Sequence, residues 1–235
     1  MKKAHGKLVK GIKQYFTKAG IKKAVIGLSG GIDSALALKL VVDSIGNNNV
    51  TALLMPEKGL TKKANVEDAV DLCKLLKVEY KIIPINSFIK EFKKINAWKQ
   101  NKIALINTKS RVRALILYNY SNTHNAIVIG TSNKTELKLG YFTKYGDGAC
   151  DIEVLGDLYK TEVWELSEYL EIPKNIIHKV PSAELFHGHT DEKEIGENYS
   201  NIDLMLKGKK KMSKKVKDRI KENKHKTEQI HIIKK

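Results

Sequence analysis

Four short apolar runs set at helix-length intervals constrain this chain more than any other feature of it. They are Lys23–Ser29 (KAVIGLS), Val50–Met55 (VTALLM), Glu79–Ile85 (EYKIIPI) and Ala126–Thr131 (AIVIGT). Between them lie segments whose apolar residues recur at helical spacing: Asp33–Val42, Thr61–Leu76 and a long stretch that reaches Tyr120. Strands separated by helices need crossover connections, and repeated crossovers build a parallel sheet. The expected fold is therefore α/β, a doubly wound parallel sheet with helices on both faces. Such sheets bind ligands beyond the carboxyl ends of their strands, which directs attention to the loops after Leu28, Met55 and Ile129.

A length of 235 residues suits one domain over 1–235 and is short for two independent cores. No apolar run approaches the roughly 20 residues of a membrane span. The basic N-terminus has its apolar residues at helical intervals and lacks the continuous apolar core of a secretory signal. Cys73 and Cys150 are too few for a disulfide framework and form no CxxC pair. A cytoplasmic protein with no membrane partner is expected.

The formal charge of +17 raises nucleic-acid binding, so its placement matters. Residues 1–23 carry eight Lys and no acid, and residues 207–226 carry eleven Lys or Arg against Asp218 and Glu222. The intervening 24–206 is close to neutral. A basic tail can hold RNA, can be a solvated Lys-rich face, or can be an arm, about 205–235, that closes over a polyanionic substrate. The arm is preferred, which makes nucleic acid an unlikely partner.

The most informative loop is Gly27-Leu28-Ser29-Gly30-Gly31-Ile32-Asp33-Ser34, running from the first strand into a helix. Gly30 and Gly31 let the backbone turn tightly and present its amides to an anion. Ser29 and Ser34 add hydroxyls, and the helix N-terminus adds a favourable dipole. A carboxylate, Asp33, inside an anion site implies a bridging cation, most plausibly Mg²⁺. The loop is neither a Walker A sequence nor GxGxxG.

SGGIDS resembles the SGGxDS loop of the PP-loop ATP pyrophosphatases, which cleave ATP between its α and β phosphates. A second cluster narrows the resemblance. Gly130-Thr131-Ser132-Asn133-Lys134-Thr135-Glu136 follows a strand, and Gly140-Tyr141-Phe142-Thr143-Lys144-Tyr145-Gly146-Asp147-Gly148 comes soon after, with Asp151 beyond. Together with Leu158-Tyr159-Lys160, Pro181-Ser182-Ala183-Glu184-Leu185, Asp191-Glu192 and His225-Lys226, this is similar to the ammonia-dependent NAD synthetases over nearly the whole chain.

That resemblance implies an adenine nucleotide alpha-hydrolase-like fold and a two-step reaction. The carboxylate of deamido-NAD attacks the ATP α-phosphorus, and ammonia then displaces AMP from the acyl adenylate. It implies Asp33 and Glu136 on Mg²⁺, with Lys160 neutralising phosphate charge. ATP would meet Gly27 to Ser34, Thr131, Lys160 and Ser182. Deamido-NAD would meet Arg111, Lys144, Asp151, His225 and Lys226, with Arg113 able to assist Arg111. It also implies a homodimer, for which the Lys102–Tyr120 segment is the candidate interface. About 23 residues precede the first strand, so free ammonia and not an attached glutaminase is the expected nitrogen source. The sequence departs from the resemblance at its end, EQIHIIKK, where relatives have a Pro- and Phe-bearing tail. The alternative reading is a PP-loop tRNA-modifying adenylating enzyme, which would use the same loop and the basic ends.

Overall fold

A computed structural model describes residues 1–182, 184, 186, 188–228 and 230–234. Ala183 and Leu185 of the Pro181–Leu185 motif lie outside them. In chain order the elements are α1 (Lys2–Ala19), β1 (Lys23–Gly27), α2 (Ile32–Ile45), β2 (Val50–Leu54), α3 (Lys63–Leu76), β3 (Glu79–Ile82), α4 (Asn86–Lys93), α5 (Lys102–His124) and β4 (Ala126–Gly130). There follow α6 (Lys134–Leu139), β5 (Ile152–Glu153), α7 (Lys160–Tyr169), α8 (Lys174–Ile177), α9 (Asp191–Ile195), α10 (Tyr199–Leu206) and α11 (Lys214–Thr227).

The five strands form one parallel sheet in the order β3-β2-β1-β4-β5, with Ala24 opposite both Val50 and Ile127. Burial on both faces explains why the central strands β1, β2 and β4 read as nearly continuous apolar runs, whereas the outer β3 is largely exposed. Alternation sorts their side chains. Ala24, Ile26, Ala52, Leu54, Ile127 and Ile129 face a core shared with α1, α2 and α3, whereas Val25, Leu53 and Val128 pack with Ile85, Ile89 and Val112 of the α4–α5 side. The doubly wound architecture expected from the sequence is present.

The structure corrects one expectation and adds two features. The long helical stretch before Tyr120 is two helices, because α4 stops at Lys93 and α5 begins only after its Asn101 cap, whose side chain accepts from the Ala104 amide. A fifth strand, β5, was not expected; two residues are too few to show a period. The basic arm is also more built than its composition suggests. Leu139, Ile195, Tyr199, Ile202, Met205 and Val216 form a third apolar cluster that joins α6, α9, α10 and α11. No helix among the described residues is long and apolar enough to cross a membrane.

Candidate active site

The strand order reverses between β1 and β4, so the loops that leave these two neighbouring strands flank one crevice. From β1 comes the SGGIDS loop. Leu28 and Ile32 are buried, which leaves only their backbone to face the crevice, and the Leu28 amide donates to the Leu53 carbonyl at 3.0 Å. The loop braces itself. The Ser34 hydroxyl donates to Gly31 O at 3.0 Å and lies 3.1 Å from Ser29 Oγ, which accepts from the Gly31 amide at 3.2 Å. Gly30 has φ +80°, and a Cβ there would stand 2.1 Å from the Asn65 carbonyl oxygen, so glycine is required both by conformation and by the closeness of α3. The Lys179 ammonium donates to Gly30 O at 2.8 Å and pairs with Asp68 of α3 at 2.5 Å.

From β4 comes Thr131-Ser132-Asn133, with Thr131 half-buried at the strand end. Asn133 is the N-cap of α6 and shares a reciprocal capping box with Glu136: its side chain accepts the Glu136 amide at 3.0 Å, and Glu136 Oε2 accepts the Asn133 amide at 3.1 Å. The same Asn133 donates its Nδ2 to Asp33 Oδ1 at 2.9 Å. Lys160, at the start of α7, pairs through Nζ with Asp33 Oδ2. Its side chain is 1% exposed and the ammonium lies over Trp164 and Tyr199, 5.9 and 5.3 Å from the ring centroids.

Asp33, Glu136 and Lys160, expected from sequence to act together, are thus brought together. Burial first, and then the charge of Asp33, pushes the Glu136 carboxyl well above its ordinary value. Burial disfavours the Lys160 ammonium, but Asp33 and Glu136 outweigh it and the Lys160 pKa is raised. A fully buried lysine that stays charged needs such partners. Two oxygen-donor carboxylates at the mouth of an anion cradle are the donor set that Mg²⁺ uses when substrate phosphates complete its shell. No group of three or more His, Cys, Asp or Glu among the described residues forms a self-sufficient metal site.

Asp203 of α10, which the sequence did not disclose, aligns the two helices that carry Glu136 and Lys160. Its carboxylate accepts from the Thr135 hydroxyl at 2.5 Å and the Thr161 amide at 2.8 Å, and Thr135 Oγ1 accepts the Lys160 amide at 3.0 Å. The NxxE pattern of Asn133 and Glu136 is readable as a capping signal. Asp203 has no local signal.

Four of the residues expected on the dinucleotide form a chain of contacts that reaches the Gly140 cap at the end of α6. Arg111 donates to the Lys144 carbonyl at 3.3 Å, and Lys144 Nζ to the His225 carbonyl at 2.8 Å. Lys226 Nζ donates to the carbonyls of Gly140 and Phe142, at 2.9 Å each. Asp151 stands apart from this chain. Its carboxylate accepts the Val128 amide at 2.8 Å and the Tyr118 hydroxyl at 3.1 Å. Arg113 does not join Arg111: it is buried and donates to the Met55 carbonyl at 3.0 Å. Ser182 is occupied within its own loop, donating to the His189 carbonyl at 2.6 Å.

Comparison with known proteins adds to this geometry. A sequence model of the NAD synthase family matches residues 5–235. The NH(3)-dependent NAD(+) synthetase of Archaeoglobus fulgidus is 47% identical over 83% of this chain and 79% of its own length. Among solved structures, an NMN synthetase from Francisella tularensis aligns with TM-score 0.92 and 38% identity, covering 99% of this chain and 98% of that one. An NH3-dependent NAD synthetase from Campylobacter jejuni aligns with TM-score 0.81 and 36% identity, covering the same shares.

Proposed function

The chain belongs to the NAD synthase family and is a ligase, and we propose that it uses ATP and ammonia to turn the carboxylate of deamido-NAD into the amide of NAD, by way of an acyl adenylate. The observation that carries this reading is the meeting of Asp33, Glu136 and Lys160 at the reversal point of the sheet, beside a glycine loop that can take only an anion.

The SGGIDS amides and the N-terminus of α2 would receive the phosphates that leave as pyrophosphate. Lys160 would shift from Asp33 toward the negative charge that builds there, and its fixed aromatic walls limit where it can go. Asp33 and Glu136 fit a magnesium ion shared with those phosphates. When bound, that ion would draw charge from the phosphoryl oxygens. Thr131 and Ser182 would border the nucleotide, and Ser182 would have to leave His189 to do so. Arg111, Lys144, Asp151, His225 and Lys226 would hold the deamidated substrate. None of these steps needs a covalent enzyme intermediate; orientation and neutralised charge carry them.

The high TM-score of the NMN synthetase favours a second reading of substrate length, in which the deamidated mononucleotide is amidated. The relatives favour amidation over tRNA modification. A cytoplasmic homodimer completes the proposal, with the exposed Ile103 and Leu115 of α5 as its apolar contacts. The test is a coupled assay of purified protein with ATP, Mg²⁺ and ammonium chloride, run separately with deamido-NAD and with the deamidated mononucleotide. A parallel tube replaces ammonium with glutamine. NAD formed from ammonium alone is the expected result; amidation of the mononucleotide only would shift the substrate, and no amide from either would end the reading.

A further inference from the structure

Glu153 lies in β5, opposite Gly130 at the end of β4, and no step above uses it. Its carboxylate is seated on Gly130: a Cβ at that position would stand 2.4 Å from Glu153 Oε2 and 2.5 Å from Cys150 Sγ. Glycine here leaves room for a side chain from the next strand, and the space is filled by the Glu153 carboxylate and the Cys150 sulfur. Oε2 accepts the Ser132 amide at 3.0 Å. Cys150 and Ser132 draw the Glu153 pKa down, against the larger effect of burial. Ser132 is itself buried, so its amide has little access to water as an alternative partner.

We infer that Glu153 is a positioning residue for the ATP half of the site: by holding the Ser132 amide it fixes the peptide that places Asn133 against Asp33 and Glu136. The path has three links. Glu153 fixes Ser132, the adjoining Asn133 amide meets Glu136 Oε2, and the Asn133 side chain meets Asp33 Oδ1. Losing Glu153 removes the partner of the Ser132 amide and loosens the peptide that carries Asn133 into its contacts with Glu136 and Asp33. Glutamine at 153 retains an oxygen that can accept the Ser132 amide. Leucine fills a similar volume and accepts nothing. Burial pushes the Glu153 carboxyl up to about 7, which marks a carboxylate kept in place for its contacts despite its cost.

This inference rests on the ATP-site reading and is tested by MgATP binding in titration calorimetry, beside steady-state kinetics. Glu153→Leu is expected to raise the MgATP Kd and the KM for ATP tenfold or more, with the KM for the deamidated substrate within twofold. Glu153→Gln is expected to stay within threefold of wild type. Wild-type MgATP affinity in a folded Glu153→Leu variant would overturn the inference, as would equal weakening by both substitutions. A wild-type chain that binds no MgATP would overturn the ATP-site reading along with it. Hydrogen exchange of the wild-type chain gives a check that needs no variant: the Ser132 amide should exchange slowly, and exchange at the rate of a free loop amide would also overturn the inference.

Discussion

Asn133 donates its side-chain amide to the Asp33 carboxylate at 2.9 Å across 100 residues of sequence. This contact joins the two loops that leave β1 and β4, and it holds Asp33 through the oxygen that Lys160 does not use. Asp33 therefore has both oxygens engaged within the chain, one neutral and one charged.

Removing Asp33 should affect the fold as well as the chemistry. Lys160 would remain buried with Glu136 and the more weakly acting Asp191 as partners, and breaking a buried pair by deleting one partner costs about 3–5 kcal/mol. Because Asp33 is 21% exposed and Glu136 stays, Asp33→Ala is expected to cost about 3 kcal/mol, the low end of that range. NAD formation should fall about 100-fold or more. Lys160→Met should also abolish turnover. The double variant should melt above Asp33→Ala alone, since it no longer buries a charge, and strictly additive losses in thermal melts would argue against a coupled pair.

The two carboxyls with raised pKa set the pH dependence of the ligand-free fold. A carboxyl whose pKa is higher folded than unfolded binds its proton more tightly in the native state. Its stabilisation is complete below the unfolded pKa and is lost as pH rises through the folded value. Glu153, pushed up to about 7 from 4.5, accounts for at most about 3 kcal/mol of such loss between those limits. Glu136 acts with the same sign. Thermal stability without ligands should decline from pH 5 toward pH 8, and Glu136→Gln or Glu153→Gln should flatten the decline. A wild-type melting temperature that rises over this interval would contradict the assigned directions.

Much of the fold was legible because burial on both faces leaves β1, β2 and β4 as unbroken apolar runs, and all four expected strands begin where the structure begins them. Their expected ends overshoot by one to three residues, since Leu28, Met55 and Ile83 stay apolar just past the last residue of each strand. The break between α4 and α5 was hidden because residues 94–101 carry no Gly or Pro; it is held by the Asn101 cap and by Gln100, whose side chain donates to the Phe92 carbonyl at 2.7 Å. In the site, the glycine loop and the NKTE cap were readable because their bonds are local. Asp203, Lys179 and Glu153 act at a distance of 20 or more residues, where spacing carries no signal.

Gly30→Ala should be more damaging than a methyl group suggests. The new Cβ would stand 2.1 Å from the Asn65 carbonyl oxygen, and φ +80° is unfavourable for alanine. Strain and backbone displacement together should cost about 2 kcal/mol or more. Relief must come from the loop or from α3, and either shift moves the amides that face the phosphates. The KM for ATP should rise at least tenfold, while that for the deamidated substrate changes little; unchanged ATP kinetics would mean that the loop does not contact the nucleotide.

The end of α11 separates a latch from a substrate contact. Lys226 is half-buried, with burial lowering its pKa, and it spends its ammonium on the Gly140 and Phe142 carbonyls. His225 offers its carbonyl to Lys144 while its ring lies exposed. Lys226→Met should therefore loosen α11 from the 140–142 turn at a cost of about 1–2 kcal/mol and speed tryptic cleavage within 207–217. His225→Ala keeps the carbonyl and should leave proteolysis unchanged. If the two residues also touch the deamidated substrate, both variants should raise its KM, so a rise with Lys226→Met alone would assign the pair to docking the helix and remove His225 from the substrate site.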